Sequence, residues 1–516
     1  MNGIFAFAIW DSLDQKLVLA RDMMGVKPLY FRQTDSEFSF SSELKSLFAL
    51  ADRPRNLELE SIQRYLRFMW CPGEGTPIED VKKLGPGEYL VVKGGRINER
   101  GTWVKTAYEI PREPSFEGRN KITEITDRLR TAVHRQMLSD VPVGAFLSGG
   151  LDSSSIVAFA RELNPDIRCF TIETRGGVDA GFSEDLPYAF KVAKHLNVDL
   201  DVIEIEADRM AQDLEFMLRC LDEPLADPAA LNVFYISKLA REQDVKVLLS
   251  GTGGDDLFTG YRRHTAAKID GYLGSIPFIR GRLGKSLASK LDQRTVLGRR
   301  LLRFLSSGDV KTADGLIGYF AWSGTRETAD LYTKNFADAV SASDFAKPLK
   351  SHLERLDESV TELEKMLSIE QRFFLADHNL MYTDKMSMAA GVETRVPFLD
   401  PDVIHLARQL HEGDKCRRFR TKWLLKKAME PFLPKGVIYR KKTGFGAPVR
   451  RWMRHDLRQL LGDTLSEEAL RRRDLFDYKA VHRLMRANDA GETDASYTLF
   501  SLLCIEIWCQ IYIDSK

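Results

Sequence analysis

Little in this sequence is extreme, and each thing it is short of removes a class of protein. Only 6 of its 516 residues are cysteine, and they form no CxxC pair and no set with metal-ligand spacing. That excludes a disulfide framework and a zinc module; buried free thiols in a reducing compartment are expected instead. Charge of neither sign dominates, since 75 Lys and Arg face 74 Asp and Glu for a formal net charge of +1. The molecule therefore has no global field to steer polyanions. Long hydrophobic runs are missing too. The longest, Ser501–Ile513, spans 13 residues and contains Glu506, too short and too polar to cross a bilayer. The opening MNGIFAFAIWD has no basic n-region and no small-residue cleavage site, so it does not read as a signal peptide. A cytoplasmic protein with no membrane partner is expected. Glycine (36) and proline (19) are near ordinary usage, which leaves out collagen-like and low-complexity chains.

What is there is globular composition, 44% hydrophobic and 29% charged, at a length that would hold about three domains of ~150 residues. The first hundred residues read as strands and turns: Ile4–Trp10, Lys16–Ala20, Leu29–Arg32, Glu37–Ser41 and Tyr89–Lys93, with one helical pattern over Glu58–Met69. EIPREPSFEG, with Pro111 and Pro114, reads as a linker. The rhythm then changes. Strands at Val143–Leu147, Arg168–Glu173, Val202–Ile205 and Val245–Leu249 alternate with helical patterns at Ser153–Leu163, Ser183–Leu196 and two more. This alternation predicts an α/β fold with a doubly wound parallel sheet. From about residue 260 onward the pattern is almost wholly helical, with no internal repeat.

The first strand of that sheet runs into Leu147-Ser148-Gly149-Gly150-Leu151-Asp152-Ser153-Ser154 and then a helix. Two glycines let the backbone approach an anion, hydroxyls supply donors, and the helix N-terminus adds unpaired N–H groups. An acidic residue in such a loop makes sense if it holds Mg²⁺ against phosphates. No Gly-Lys-Ser/Thr follows, so this is not a Walker loop. The plain alternative is a strand-to-helix turn with Asp or Ser as a cap.

This string resembles the PP-loop of the ATP pyrophosphatases. Other segments resemble one branch of them, the glutamine-dependent asparagine synthetases: Asp222-Glu223-Pro224 with Ala226-Asp227-Pro228, Leu249-Ser250-Gly251-Thr252-Gly253-Gly254-Asp255-Asp256, Asp384–Ala389, Glu393–Asp400, and Tyr439–Phe445. The likeness runs from Asn2 to about Trp452. It implies a fold in which a PP-loop domain with a helical C-terminal part, residues 118–516, follows residues 1–110. The latter resemble the second half of an N-terminal-nucleophile glutaminase β-sandwich. It also implies a ligase that couples aspartate, ATP and ammonia or glutamine through a β-aspartyl-AMP intermediate.

Residue by residue, the resemblance assigns Ser148, Gly149, Gly150, Asp152, Ser153 and Ser154 to pyrophosphate, and Asp152 and Asp255 to Mg²⁺. Lys442 is assigned to phosphate oxygens, with Asp255 as the second catalytic residue. Leu147, Ile172, Ser250 and Gly251 are assigned to adenosine, and Thr252 and Gly253 to the acceptor. For Leu147 and Ile172, a place in the strand core is the other reading. Lys415–Arg454 carries fourteen Lys/Arg and one acid, Glu430. A positive field beside a polyphosphate accounts for part of it, and nucleic-acid binding is not expected.

The sequence also departs from the family. Met1 is followed by Asn2, and no cysteine precedes Cys71, so the glutaminase nucleophile has no counterpart. A start placed too far downstream or a fragment, a split enzyme with a separate glutaminase half, and an ammonia-dependent enzyme each account for this. The first is favoured, because half a sandwich leaves an apolar edge strand unpaired. Thr252 stands where the family has an acid, Asp256 where it has Glu, and Met23 where it has Arg. Thr252 keeps other acceptors open: a β-lactam precursor, a lasso peptide or a surface sugar acid. A non-catalytic nucleotide-binding paralogue is the alternative outside enzymology. The family's common homodimer is a further partner implied.

Overall fold

The chain is described as a computed structural model covering residues 1–35, 37–49, 55–105, 108, 112–113, 120–175, 185–273, 310–440 and 447–514. Its N-terminal strands are β1 (Ala6–Asp11), β2 (Lys16–Arg21), β3 (Tyr30–Gln33), β4 (Phe38–Ser41), β5 (Val81–Lys83), β6 (Glu88–Lys93) and β7 (Arg96–Thr102). They form two antiparallel sheets, ordered β1-β2-β6-β7 and β4-β3-β5. Leu19, Leu90 and Val92 from the first sheet meet Phe31 from the second, with Leu29 and Leu84 beside them, in one buried cluster. β1 lies at a sheet edge and exposes Ile9 and Trp10. Two strands were not evident from sequence. β7 is RINERGT, so charged that no alternation shows, which is how an edge strand is kept from pairing further. β5 is three residues long.

The third sheet is parallel throughout: β8 (Val143–Phe146), β9 (Cys169–Arg175), β10 (Leu200–Glu206), β11 (Val247–Leu249) and β12 (Glu393–Arg395), in the order β10-β9-β8-β11-β12. Helices Lys121–Gln136, Leu151–Leu163 and Leu186–Leu196 pack on one face through Leu129, Ile156, Phe159 and Val192. Helix Ala229–Glu242 covers the other through Ile236 and Ala240, against Phe170 and Leu248. Both faces are thus buried, as a parallel sheet requires. The almost wholly helical region expected after residue 260 also holds one short strand, β12. Its three residues, Glu-Thr-Arg, carry no strand signal of their own and extend only because β11 supplies partners.

The longest apolar run is a buried helix, Ser496–Tyr512, with Glu506 paired to Arg473 at 3.1 Å. Among the described residues no helix is long and apolar enough to cross a membrane. All six cysteines are free, as expected, and all but Cys220 are buried.

One buried base in the helical part sets a pH dependence. His352 Nε2 lies 2.6 Å from Ser368 Oγ, and its ring meets Phe373 edge-on at 5.4 Å. Burial, with Arg372 and Arg355 nearby, pushes the imidazole down from 6.5 to about 3. The folded state therefore binds this proton less well than the unfolded state does. The contribution is complete above pH 6.5 and is lost as pH falls toward 3, on the order of 5 kcal/mol across the window. His352→Gln is expected to flatten the urea-midpoint profile between pH 6.5 and about 4. An unchanged slope would assign the acid sensitivity to other groups.

Candidate active site

Strand order reverses between β8 and β11, since β8 has β9 on one side and β11 on the other. At such a point the loops leaving the carboxyl ends diverge and open a crevice. The two loops concerned are the ones singled out from sequence, Leu147–Gly150 after β8 and Ser250–Gly253 after β11.

Glycine is required where these loops meet their surroundings. Gly149 has φ +68°, and a Cβ there would stand 2.3 Å from the Ala189 nitrogen. The loop can lie against helix Leu186–Leu196 only without a side chain. A Cβ on Gly251 would fall 2.6 Å from the Ser153 nitrogen, and one on Gly254 2.7 Å from Asp152 Cγ. The second loop is therefore packed directly onto the first. Gly253, at φ +96°, makes a similar approach to Leu399, where a Cβ would come within 2.4 Å.

The helix begins at Leu151, two residues earlier than the pattern suggested, so Asp152, Ser153 and Ser154 sit in its first turn. Its N-cap is Gly150, which supplies no capping side chain. First-turn N–H groups without a side-chain acceptor favour an anion at this end. The hydroxyls divide into two sets. Ser148 Oγ and Ser153 Oγ lie 3.2 Å apart, and Ser153 Oγ also accepts from the Ser148 N–H at 3.3 Å. Ser154 Oγ is buried with no hydrogen-bond partner. In the second loop Ser250 Oγ lies 2.8 Å from Thr252 Oγ1 and accepts from the Thr252 N–H at 3.2 Å. Leu147 is fully enclosed in the core, and Ile172 is partly buried in β9 opposite Ile203.

Asp152 and Asp255 converge from the two loops on one cation, the Nζ of Lys422. Lys422 is buried, and its backbone N–H donates to Phe258 O at 3.1 Å. Burial pulls its ammonium below the ordinary lysine range, with the Asp152 carboxylate opposing that shift. Gly260 closes around the pair, since a Cβ there would overlap Asp255 Oδ1 at 1.5 Å and crowd Lys422 Cε at 2.5 Å. Nothing in the sequence marked Lys422 apart from its place in the basic run. The signal was hidden because thirteen other basic residues share that run.

The two carboxylates fit a divalent ion. Asp152 Oδ1 is buried and accepts no hydrogen bond, which leaves an anionic oxygen available beside the loop. Among the described residues no group of three His, Cys, Asp or Glu gathers to make an all-protein site. Mg²⁺ does not need one, because it is commonly held by one or two carboxylates together with substrate phosphates and water. Lys442 lies outside the described residues, as do most of the expected linker and the other residues of 441–446.

Asp222 and Glu223 do not join this site. They lie at the contact with the N-terminal sheets. Glu223 accepts from Tyr30 Oη at 2.6 Å and from Tyr65 Oη, with Lys83 Nζ at 3.8 Å. Asp222 pairs with Lys385. Lys27, in the GVKPLY turn before β3, reaches Asp384 Oδ1 at 2.6 Å, and Arg372 reaches Glu88 at 3.1 Å.

Comparison with known sequences agrees with this division. The family described as Asparagine synthase matches residues 124–510, and that described as Glutamine amidotransferase domain matches residues 1–103. A Bacillus subtilis (strain 168) protein named asparagine synthetase [glutamine-hydrolyzing] 1 is 31% identical over 523 residues, covering 100% of this chain and 78% of its own length. A Mycobacterium bovis protein named putative asparagine synthetase [glutamine-hydrolyzing] is 31% identical over 538 residues, covering 100% of this chain and 77% of its own. A Gibberella zeae protein named amidase chry2 is 24% identical over 94% of this chain and 75% of its own length.

Proposed function

The chain belongs to the asparagine synthase family of ligases, and we propose from this that it activates L-aspartate with ATP and converts it to L-asparagine. The β-carboxylate attacks the α-phosphorus, the bond to the β-phosphate breaks, and pyrophosphate leaves. Ammonia then attacks the acyl carbon of β-aspartyl-AMP and AMP departs. The single observation that carries this reading is the meeting of Asp152 and Asp255 on Lys422 beside a Gly-Gly loop at a helix N-terminus. A mere turn needs neither paired acids nor a buried lysine between them.

In this reading residues 118–516 form a PP-loop domain, and residues 1–110 belong to the amidotransferase part. Ser148, Ser153 and Ser154 donate hydrogen bonds to the pyrophosphate, Gly149 and Gly150 let it approach the backbone, and Lys442 neutralises phosphate oxygens. Lys422, held between its two carboxylates, adds a fixed positive charge beside the leaving group. Leu147, Ile172, Ser250 and Gly251 border the adenosine. Mg²⁺, held by Asp152 and Asp255 when bound, would supply charge neutralisation of the polyphosphate.

The same family chemistry uses glutamine as nitrogen donor. All six cysteines of this chain are free and none lies ahead of Cys71, which is buried and whose carbonyl accepts from Lys83 Nζ at 2.8 Å. A second reading concerns the acceptor. Ser250 and Thr252 present a neutral hydroxyl pair that can donate a hydrogen bond to a carboxylate but cannot balance an ammonium. That favours a related carboxylate, in a β-lactam precursor, a lasso peptide or a sugar acid.

Incubation with ATP, Mg²⁺, aspartate and either ammonium or glutamine, with pyrophosphate, AMP and asparagine followed together, tests these readings. Aspartate-dependent release of all three products is the expected result, and the two nitrogen sources compared side by side identify the donor. Pyrophosphate release indifferent to aspartate would point to another acceptor. No turnover with any carboxylate would favour a nucleotide-binding role.

A further inference from the structure

Outside the residues assigned above, the most informative group near the phosphate loop is the guanidinium of Arg440. It arrives from a segment 290 residues downstream of Gly150 and is held from two sides. Nη2 pairs with Asp185 Oδ1 at 3.0 Å, and the guanidinium carbon lies 4.5 Å from the centre of the Tyr188 ring. Tyr188 and Ala189 are the residues whose backbone presses against Gly149. Arg440 is thereby fixed beside the loop, with Nη2 only 3.7 Å from where a Gly150 Cβ would stand. Its side chain is 9% exposed, yet Nη1 is buried without a hydrogen-bond partner.

Leaving a buried guanidinium N–H without an acceptor is costly; several arginines of this chain do so, and what sets Arg440 apart is its place beside Gly150. Here the arrangement is one-sided: Asp185 holds Nη2, Tyr188 lies against the face of the guanidinium, and Nη1 is left unused. Gly150 adds no side chain between the guanidinium and the helix N-terminus, where an anion is already favoured. A planar guanidinium so held suits a phosphate oxygen better than a point charge would.

We propose that Arg440 binds the pyrophosphate part of the nucleotide directly, with Asp185 and Tyr188 as the residues that position it. This rests on the assignment of the loop to ATP. Once pyrophosphate is present, Nη1 donates to one of its terminal oxygens while Nη2 keeps Asp185. The contact persists after the α–β bond has broken, so it holds the leaving group and not the adenylate. Lys191 and Lys435, close to Tyr188 and Arg440 in the chain, are exposed and lack this enclosure.

Calorimetric titration of the free protein with magnesium pyrophosphate, and separately with AMP, tests the proposal without turnover. Arg440→Gln is expected to weaken pyrophosphate binding by about tenfold to a hundredfold, with AMP affinity unchanged. Arg440→Lys keeps the charge and should still lose about tenfold, because an ammonium cannot serve Asp185 and a phosphate oxygen from the stacked position. It also provides the decisive variant if the glutamine form does not fold. Asp185→Asn, which loosens the fork, should weaken pyrophosphate and leave AMP alone. Full pyrophosphate affinity in Arg440→Lys would overturn the proposal while leaving the ATP site intact. A native protein that binds neither pyrophosphate nor ATP would overturn the site assignment itself.

Discussion

Lys422→Met is expected to remove nearly all pyrophosphate release and to destabilise the ligand-free protein at the same time. Its ammonium pairs with both Asp152 and Asp255. Removing it takes the shared cation from two partly buried carboxylates in the first turns of two helices. Breaking a buried pair by deleting one partner costs about 3–5 kcal/mol, because the remaining charge has no compensation. The effect on rate should be roughly 10²–10³-fold, the usual loss when one preorganised donor to developing charge is removed. These two effects separate with metal. If both aspartates can hold Mg²⁺, the ion should restore part of the lost urea midpoint in Lys422→Met and do little for the native protein. It should not restore turnover to the native level. A variant as stable as the native protein without Mg²⁺ would show that the lysine is not what keeps these acids together.

Lys83→Met should produce the other large loss, at the contact between the N-terminal sheets and the rest of the chain. Lys83 Nζ lies 3.8 Å from both Glu223 and Asp377 and donates to Cys71 O at 2.8 Å. Burial alone would push this lysine down, but Glu223 and Asp377 outweigh it and hold it above its ordinary value. Without the ammonium, Glu223 keeps two tyrosine hydroxyls, whereas Asp377 keeps the Gly73 N–H at 2.8 Å. Neither arrangement neutralises a charge. A destabilisation of about 3–5 kcal/mol is expected, read as a shift in the denaturant midpoint. The double variant with Glu223→Gln should recover part of it, since groups in one network are not additive. A shift below about 1 kcal/mol would mean that water already reaches these acids.

The contact at Glu223 also shows where reading the sequence reached its limit. The Asp222-Glu223-Pro224 string was recognisable as a family feature, but its work is to receive Tyr30 and Lys83 from the N-terminal sheets and Tyr65 from the helix Leu59–Phe68. Buried acids and catalytic acids look alike in one dimension. The same ambiguity covered Lys422 and Arg440. Both lie in a basic segment whose average suggested a diffuse field, whereas two of its side chains are held beside the Gly149-Gly150 loop with named partners. Leu147 and Ile172 differ in the other direction, since one is wholly enclosed and the other only partly.

The sequence by itself determined the parts that are local. Strand, glycine turn and helix N-terminus succeed one another within eight residues at Leu147–Ser154, so backbone freedom, donors and dipole follow from neighbours in the chain. Alternation of apolar strands and amphipathic helices likewise specified a parallel sheet, because only burial on both faces satisfies that pattern. The tertiary structure decided everything that depends on residues meeting across long separations. It brought β12 to β11, placed Asp255 against Asp152, and carried Lys422 and Arg440 in from some 270 and 290 residues away. The reason is physical: a side chain's charge, partner and exposure belong to its surroundings, and those exist only once the two loops have closed on each other.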